Sequence, residues 1–193
     1  LITAQHLFNH GNVERASVFR NDNWEEIPIN LVGHCRNPID ISVFATNFRI
    51  SDSISPISNM NGLIYGQDAY FLGYPYGLQY DIGELNRNYP LPFIKKATVS
   101  LMINDQDNAQ FLYLDGHNNP GFSGGPVVFT NRNTNGFQLA AIISGYRTQN
   151  QNIYNGNNVL PLTYRYNTGI VIAYSINHAI DLINQNPIGY DII

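Results

Sequence analysis

Apolar residues along this chain fall in short stretches rich in Val, Ile, Phe and Tyr, broken by clusters of Asn, Gly, Asp and Pro. That pattern predicts many short strands rather than amphipathic helices. The expected strands are Ala16–Phe19, Ile27–Val32, Ile39–Ala45, Ala69–Gly73, Phe93–Met102, Ala109–Leu114, Pro126–Phe129, Gln138–Gly145 and Gly169–Ala173. The Asn-rich segments Asn131–Asn135 and Gln149–Asn158 have turn chemistry and too little apolar content for a core, so they are expected as surface loops. One stretch has helical spacing: Ser175 caps a run through Ile176, Ala179, Ile180, Leu182 and Ile183, and Pro187 stops it. The Ser/Asn/Pro-rich stretch Ser51–Asn61 is the expected connection between two halves, 1–60 and 61–193. The expected fold class is therefore all-β with one C-terminal helix.

Composition narrows the function classes. The 193 residues are 44% hydrophobic, enough to fill the core of one domain or of two small barrels. A net charge of −4, with 10 basic and 14 acidic residues scattered along the chain, gives no footprint for nucleic acid or an anionic membrane. No apolar run approaches the ~20 residues that span a bilayer. A single cysteine, Cys35, excludes an internal disulfide, so a bacterial setting, cytoplasmic or periplasmic, fits better than a disulfide-rich extracellular one. His10, His34 and His178 show no paired ligand spacing; they are expected to be surface or structural, with no metal and no cofactor.

The most informative segment runs from Asp115 to Val128 and contains Gly121-Phe122-Ser123-Gly124-Gly125-Pro126. Glycines on both sides of a serine let the backbone turn sharply and let a substrate carbonyl approach the amide groups. Taken alone, G-x-S-x-G fits a Gly-rich turn equally well. It also fits the nucleophile elbow of α/β-hydrolases, which needs an acid and then a histidine downstream of the serine. No Asp or Glu lies between Ser123 and His178, so that order is excluded. Upstream, Thr3-Ala4-Gln5-His6 and Pro38-Ile39-Asp40-Ile41-Ser42-Val43 supply a histidine and an acid in the order used by chymotrypsin-type enzymes.

With these three blocks, the chain resembles the trypsin-like serine peptidases, especially their disulfide-free bacterial, HtrA-type branch. Further segments are similar to that family: Gly66–Gly77 to the first strand of its second barrel, Ile142–Tyr146 to the strand that holds the substrate backbone, and Gly169–Ile183 to its closing strand and helix. The resemblance implies two six-stranded antiparallel β-barrels and a serine endopeptidase acting through an acyl-enzyme. Ser123 would be the nucleophile, His6 the general base and Asp40 the residue orienting it, with the N–H groups of Gly121 and Ser123 as the oxyanion hole. It also implies a specificity pocket with His117 on its floor and Ser144, Gly145 and Tyr146 on its wall. The implied partner is a polypeptide substrate.

Two departures stand out. Phe122 occupies the position where vertebrate-type trypsins carry the aspartate of their zymogen switch. The family also has barrel strands before the position of Thr3, so the first barrel is expected to be incomplete, its open edge covered by a partner or an upstream segment. Cys35 is expected to be an inert buried thiol. The competing functional class is an inactive relative, a peptide-binding or scaffold module of the same fold.

Overall fold

A computed structural model describes residues 1–8, 11, 13–20, 22–50, 56–86, 88–104 and 109–190. His10 and the first part of the expected connection, residues 51–55, lie outside them. The described body is mostly β and carries a single α-helix near its end. None of its helices is long and apolar enough to cross a membrane.

The second half builds a closed barrel from six strands: β7 (Asp68–Gly73), β8 (Phe93–Asn104), β9 (Gln110–Asp115), β10 (Pro126–Asn131), β11 (Gly136–Asn155) and β12 (Asn158–Ser175). Around the ring the order is β10-β7-β8-β9-β12-β11, and pairing of β10 with β11 closes it. Alternation along these strands turns one face inward. In β7, Ala69, Phe71 and Gly73 are buried while Asp68 is exposed. Phe71, Val99, Leu112, Leu114, Val127, Phe129 and Val171 form the filling, each with no exposed surface. Burying one such side chain contributes roughly 1.5–3 kcal/mol, so this filling is a large source of the ring's stability.

Among the described residues, positions 1–50 hold five strands in two sheets. β1 (Ile2–Thr3), β5 (Ser42–Ala45) and β4 (Asn30–His34) pair in the order β1-β5-β4, and β2 (Arg15–Arg20) with β3 (Asn23–Pro28) forms a separate hairpin. These strands do not close a ring among the described residues. The run expected as one strand, Ile27–Val32, is broken at Ile29, whose buried side chain packs with Ile27 and Phe44 and whose N–H bonds to the Glu14 carbonyl at 2.9 Å. A short strand β6 (Ile57–Ser58) joins the barrel sheet of the second half, parallel to β11.

The two halves share an apolar cluster of Ile39, Ile41 and Val43 with Ala109, Ile142, Ile176 and Ala179. Helix α1 (Asn177–Gln185) contributes to it; its N-cap is Ile176 and not the expected Ser175, whose Oγ accepts the Asn177 N–H at 3.2 Å from one residue further upstream. Two further expectations are corrected. The strand expected over Ile39–Ala45 begins only at Ser42. Residues Gln149–Asn158 are not a loop, because β11 and β12 run on as a two-stranded ribbon to a turn at Gly156-Asn157. Gly156 takes φ +61°, the left-handed value a two-residue hairpin turn needs. Cross-strand bonds from Tyr166 Oη to Gln149 Oε1 at 3.0 Å and from Tyr164 Oη to Gln151 Oε1 at 2.8 Å replace apolar burial.

Candidate active site

Three segments bring His6, Asp40 and Ser123 to one region between the two halves. His6 lies on a 3₁₀ turn, Gln5–Phe8, that follows the fully buried Ala4. Asp40 lies between Ile39 and Ile41, 5% and 0% exposed. Those two side chains anchor in the shared core, and the intervening carboxylate is turned the other way. The loop carrying it is closed by Ile39 N–H to the Arg36 carbonyl and Cys35 N–H to the Ile41 carbonyl, both 2.9 Å.

The Asp40 carboxylate is held by three donors. Oδ2 accepts from His6 Nδ1 at 2.7 Å and from Ser144 Oγ at 2.6 Å, and Oδ1 accepts the His6 backbone N–H at 2.8 Å. An ionised carboxylate can only accept, so the ring contact has Nδ1–H as its donor. Nε2 is then the nitrogen whose lone pair is available.

Ser123 sits on a loop that the second barrel holds from behind. The Phe122 ring is fully buried and meets Phe71 edge-on, with centroids 5.0 Å apart. Gly124 N–H donates to the Ile143 carbonyl at 2.8 Å, and Ile143 N–H to the Gly125 carbonyl at 2.9 Å. At Gly121, φ is +102°, and a Cβ there would run into the Tyr74 carbonyl; at Gly124, a Cβ would meet Thr3 and the Ala4 N–H. The glycines are therefore required by close approach, the second of them where the two halves touch. The Ser123 hydroxyl donates to the Ser144 carbonyl at 3.1 Å, and no hydrogen bond joins it to the His6 ring among the described residues.

The Pro120 carbonyl accepts the Tyr76 N–H at 2.9 Å, and the Gly121 carbonyl accepts the Tyr74 N–H at 3.0 Å. Because C=O and N–H of a trans peptide point oppositely, the Gly121 N–H faces away from Tyr76. Among the described residues, neither the Gly121 nor the Ser123 N–H is taken by a hydrogen bond. Two unused donors thus flank the serine.

His6 and Ser123 line a cleft of about 440 Å³ together with Ser144, Gly145 and Tyr146. Its far wall is Thr148 of β11 with Arg165, Tyr166 and Asn167 of β12. His117 does not line this cleft; its side chain is exposed, and its carbonyl accepts from Lys95 Nζ at 2.7 Å. Sequence reading missed Lys95. Its ammonium also contacts Asn119 Oδ1 and lies 5.3 Å from the Phe122 ring centre, so it braces the loop from outside the barrel. Partial burial lowers its pKa from the ordinary lysine value. A lysine on a strand carries no sequence signal for this role.

The other singled-out residues have structural partners. His34 Nδ1 shares a hydrogen bond with the buried Ser42 hydroxyl at 2.6 Å, and His178 Nε2 accepts the Gln110 N–H at 2.9 Å. Cys35 is half-buried against the shared core; burial, then Asp181, raises its thiol to about 11. Among the described residues, no group of three or more His, Cys, Asp or Glu is placed to hold a metal ion.

No family model matches this chain, and no curated protein sequence matches it. Solved structures do. The Rv3671c protease in an inactive form is 13% identical, with TM-score 0.58 over 97% of this chain and 78% of that one. A serine-to-alanine mutant of Rv3671c from M. tuberculosis H37Rv, also in an inactive form, is 12% identical, with TM-score 0.56 over 100% and 78%. At that identity the likeness establishes the fold: mostly β, with one terminal helix, consistent with the trypsin-like double barrel.

Proposed function

We propose that this chain is a serine endopeptidase of the trypsin-like kind, nearest in character to the disulfide-free HtrA-type branch. The observation that carries this reading is the 2.7 Å link between His6 Nδ1 and Asp40 Oδ2, with Ser123 lining the same cleft as His6. In the reaction, His6 Nε2 takes the Ser123 Oγ proton as that oxygen attacks the scissile carbonyl carbon. The oxyanion is received by the N–H groups of Gly121 and Ser123, where one such donor is worth ~3 kcal/mol of barrier. Collapse breaks the C–N bond, and His6 passes its proton to the leaving amine. Water then repeats the attack on the acyl-enzyme. Asp40 keeps the Nδ1–H tautomer and stabilises the imidazolium.

Ser123 Oγ must first turn from the Ser144 carbonyl toward His6. Catalytic hydrogen bonds are commonly loose before substrate binds. The resting orientation is also the observation that favours the second reading, a binding module of the same fold without turnover. A fluorophosphonate probe distinguishes the two. The native protein is expected to label and hydrolyse peptides, while S123A and the denatured chain do neither. Equal labelling of S123A, or no labelling of the native protein, overturns the peptidase reading.

A further inference from the structure

The far wall of the cleft carries chemistry that the triad does not use. In the ribbon, Thr148 pairs with Asn167 and Asn150 with Arg165. Arg165 and Asn167 are two residues apart on β12 and so project to the same face. Arg165 Nε donates to Thr148 Oγ1 at 2.6 Å, which fixes the plane of the guanidinium and leaves its outer nitrogens for another acceptor. Among the described residues Arg165 takes part in no ion pair. Among the described residues no Asp or Glu lines the cleft, and Arg165 is the one fixed charge on these walls. The nearby Asp40 carboxylate is already occupied by His6 and Ser144.

An anchored guanidinium with free donors, in a cleft without a competing carboxylate, is built to receive a carboxylate through paired N–H donors. We propose that Arg165 is a specificity-determining residue that selects polypeptides with a Glu or Asp among the three residues preceding the scissile bond. This rests on the peptidase reading, since Ser123 defines which bond is scissile. It also places side-chain recognition on the β11–β12 ribbon instead of on His117, which does not line this cleft. Lysine and arginine at the same position are repelled by the like charge.

The test is a set of fluorogenic peptides identical except for Glu, Gln or Lys at one of those three positions, cleaved by the wild-type chain, R165Q and R165E. At one position the wild type is expected to favour Glu over Gln by about tenfold in kcat/KM, as a charge-assisted hydrogen bond permits. This ratio should shrink as salt is raised. In R165Q the ratio should fall toward one, and in R165E the Glu-to-Lys order should invert. A wild-type ratio near one at all three positions, or a ratio unchanged in R165Q, overturns the proposal. Should no peptide be cleaved, anisotropy measurements of the same peptides bound to S123A decide by the same ratios. Failure of the underlying reading is visible separately, as absent probe labelling of the native chain.

Discussion

The two sides of the cleft are held in different ways. Ser123 is fixed by packing: its loop is nailed to a closed six-stranded barrel by the fully buried Phe122, and strand pairing continues through Gly124 and Gly125. His6 is fixed by polar contacts. It stands on a 3₁₀ turn with no buried residue, after a strand of only two residues, and its ring is held by the Asp40 carboxylate. Side-chain exposure is 42% for His6 and 17% for Asp40. Packing resists displacement because every shift opens a void, whereas a hydrogen-bonded arrangement can be lost one donor at a time. Damage on the Ser123 side should therefore appear as lost stability, and damage on the His6 side as lost rate.

The largest separation is expected from D40N. An amide at this position can turn its NH₂ toward the ring and favour the wrong His6 tautomer, a change that in analogous triads costs ~10⁴ in rate. The shape is preserved and the site is partly open, so the melting temperature should shift little. Peptide kinetics and a thermal melt on the same sample check both halves of the statement, and a large fall in melting temperature would break the contrast. F122A is the converse. Removing a fully buried Phe should cost about 3–5 kcal/mol in urea unfolding, because the void sits between the loop and Phe71. A cost under ~1 kcal/mol would show that packing does not hold this loop.

A smaller effect is expected from S144A, which removes one of three donors to Asp40 and leaves the two from His6. Losing one charge-assisted hydrogen bond corresponds to about tenfold in kcat/KM if it orients the carboxylate. The Ser144 carbonyl that receives the Ser123 hydroxyl is retained in this variant. A rate equal to wild type would mean that the His6 contacts alone orient Asp40.

Much of this arrangement was legible in sequence, for a physical reason. Residues proposed for the chemistry or required by close backbone approach leave local marks: Gly121, Gly124 and Gly125 around Ser123, and Asp40 between two buried isoleucines. The strands of the closed barrel were legible because alternation records a buried face. The ribbon beyond Tyr146 was not, since its pairing rests on Gln, Asn, Thr and Tyr contacts across two wet faces, a composition that reads as loop. Lys95 was hidden for a similar reason: its role depends on Phe71 bringing it beside the Ser123 loop by strand register. Phe122 was read as a lost switch residue, and its burial gives that departure a positive role.

The smallest effect concerns Cys35, where both halves meet helix α1. Burial is the main cause raising its pKa from the ordinary 9.0 to about 11, with the Asp181 carboxylate adding to it. A thiol that stays protonated at neutral pH is a poor nucleophile, so alkylation by iodoacetamide at pH 7 should be far slower than for free cysteine. The same shift fixes the sign of a stability effect. Between pH 9 and 11 the unfolded chain has lost the thiol proton while the folded chain still holds it, so folded stability falls as pH rises through this window. Cys35 is only half-buried, and solvent screening limits the loss to on the order of 1 kcal/mol or less. Urea midpoints measured from pH 7 to 11 should therefore fall slightly more for the wild type than for C35S, whose hydroxyl does not ionise there. Parallel curves for the two proteins would show that the thiol is no less solvated in the fold than in the unfolded chain.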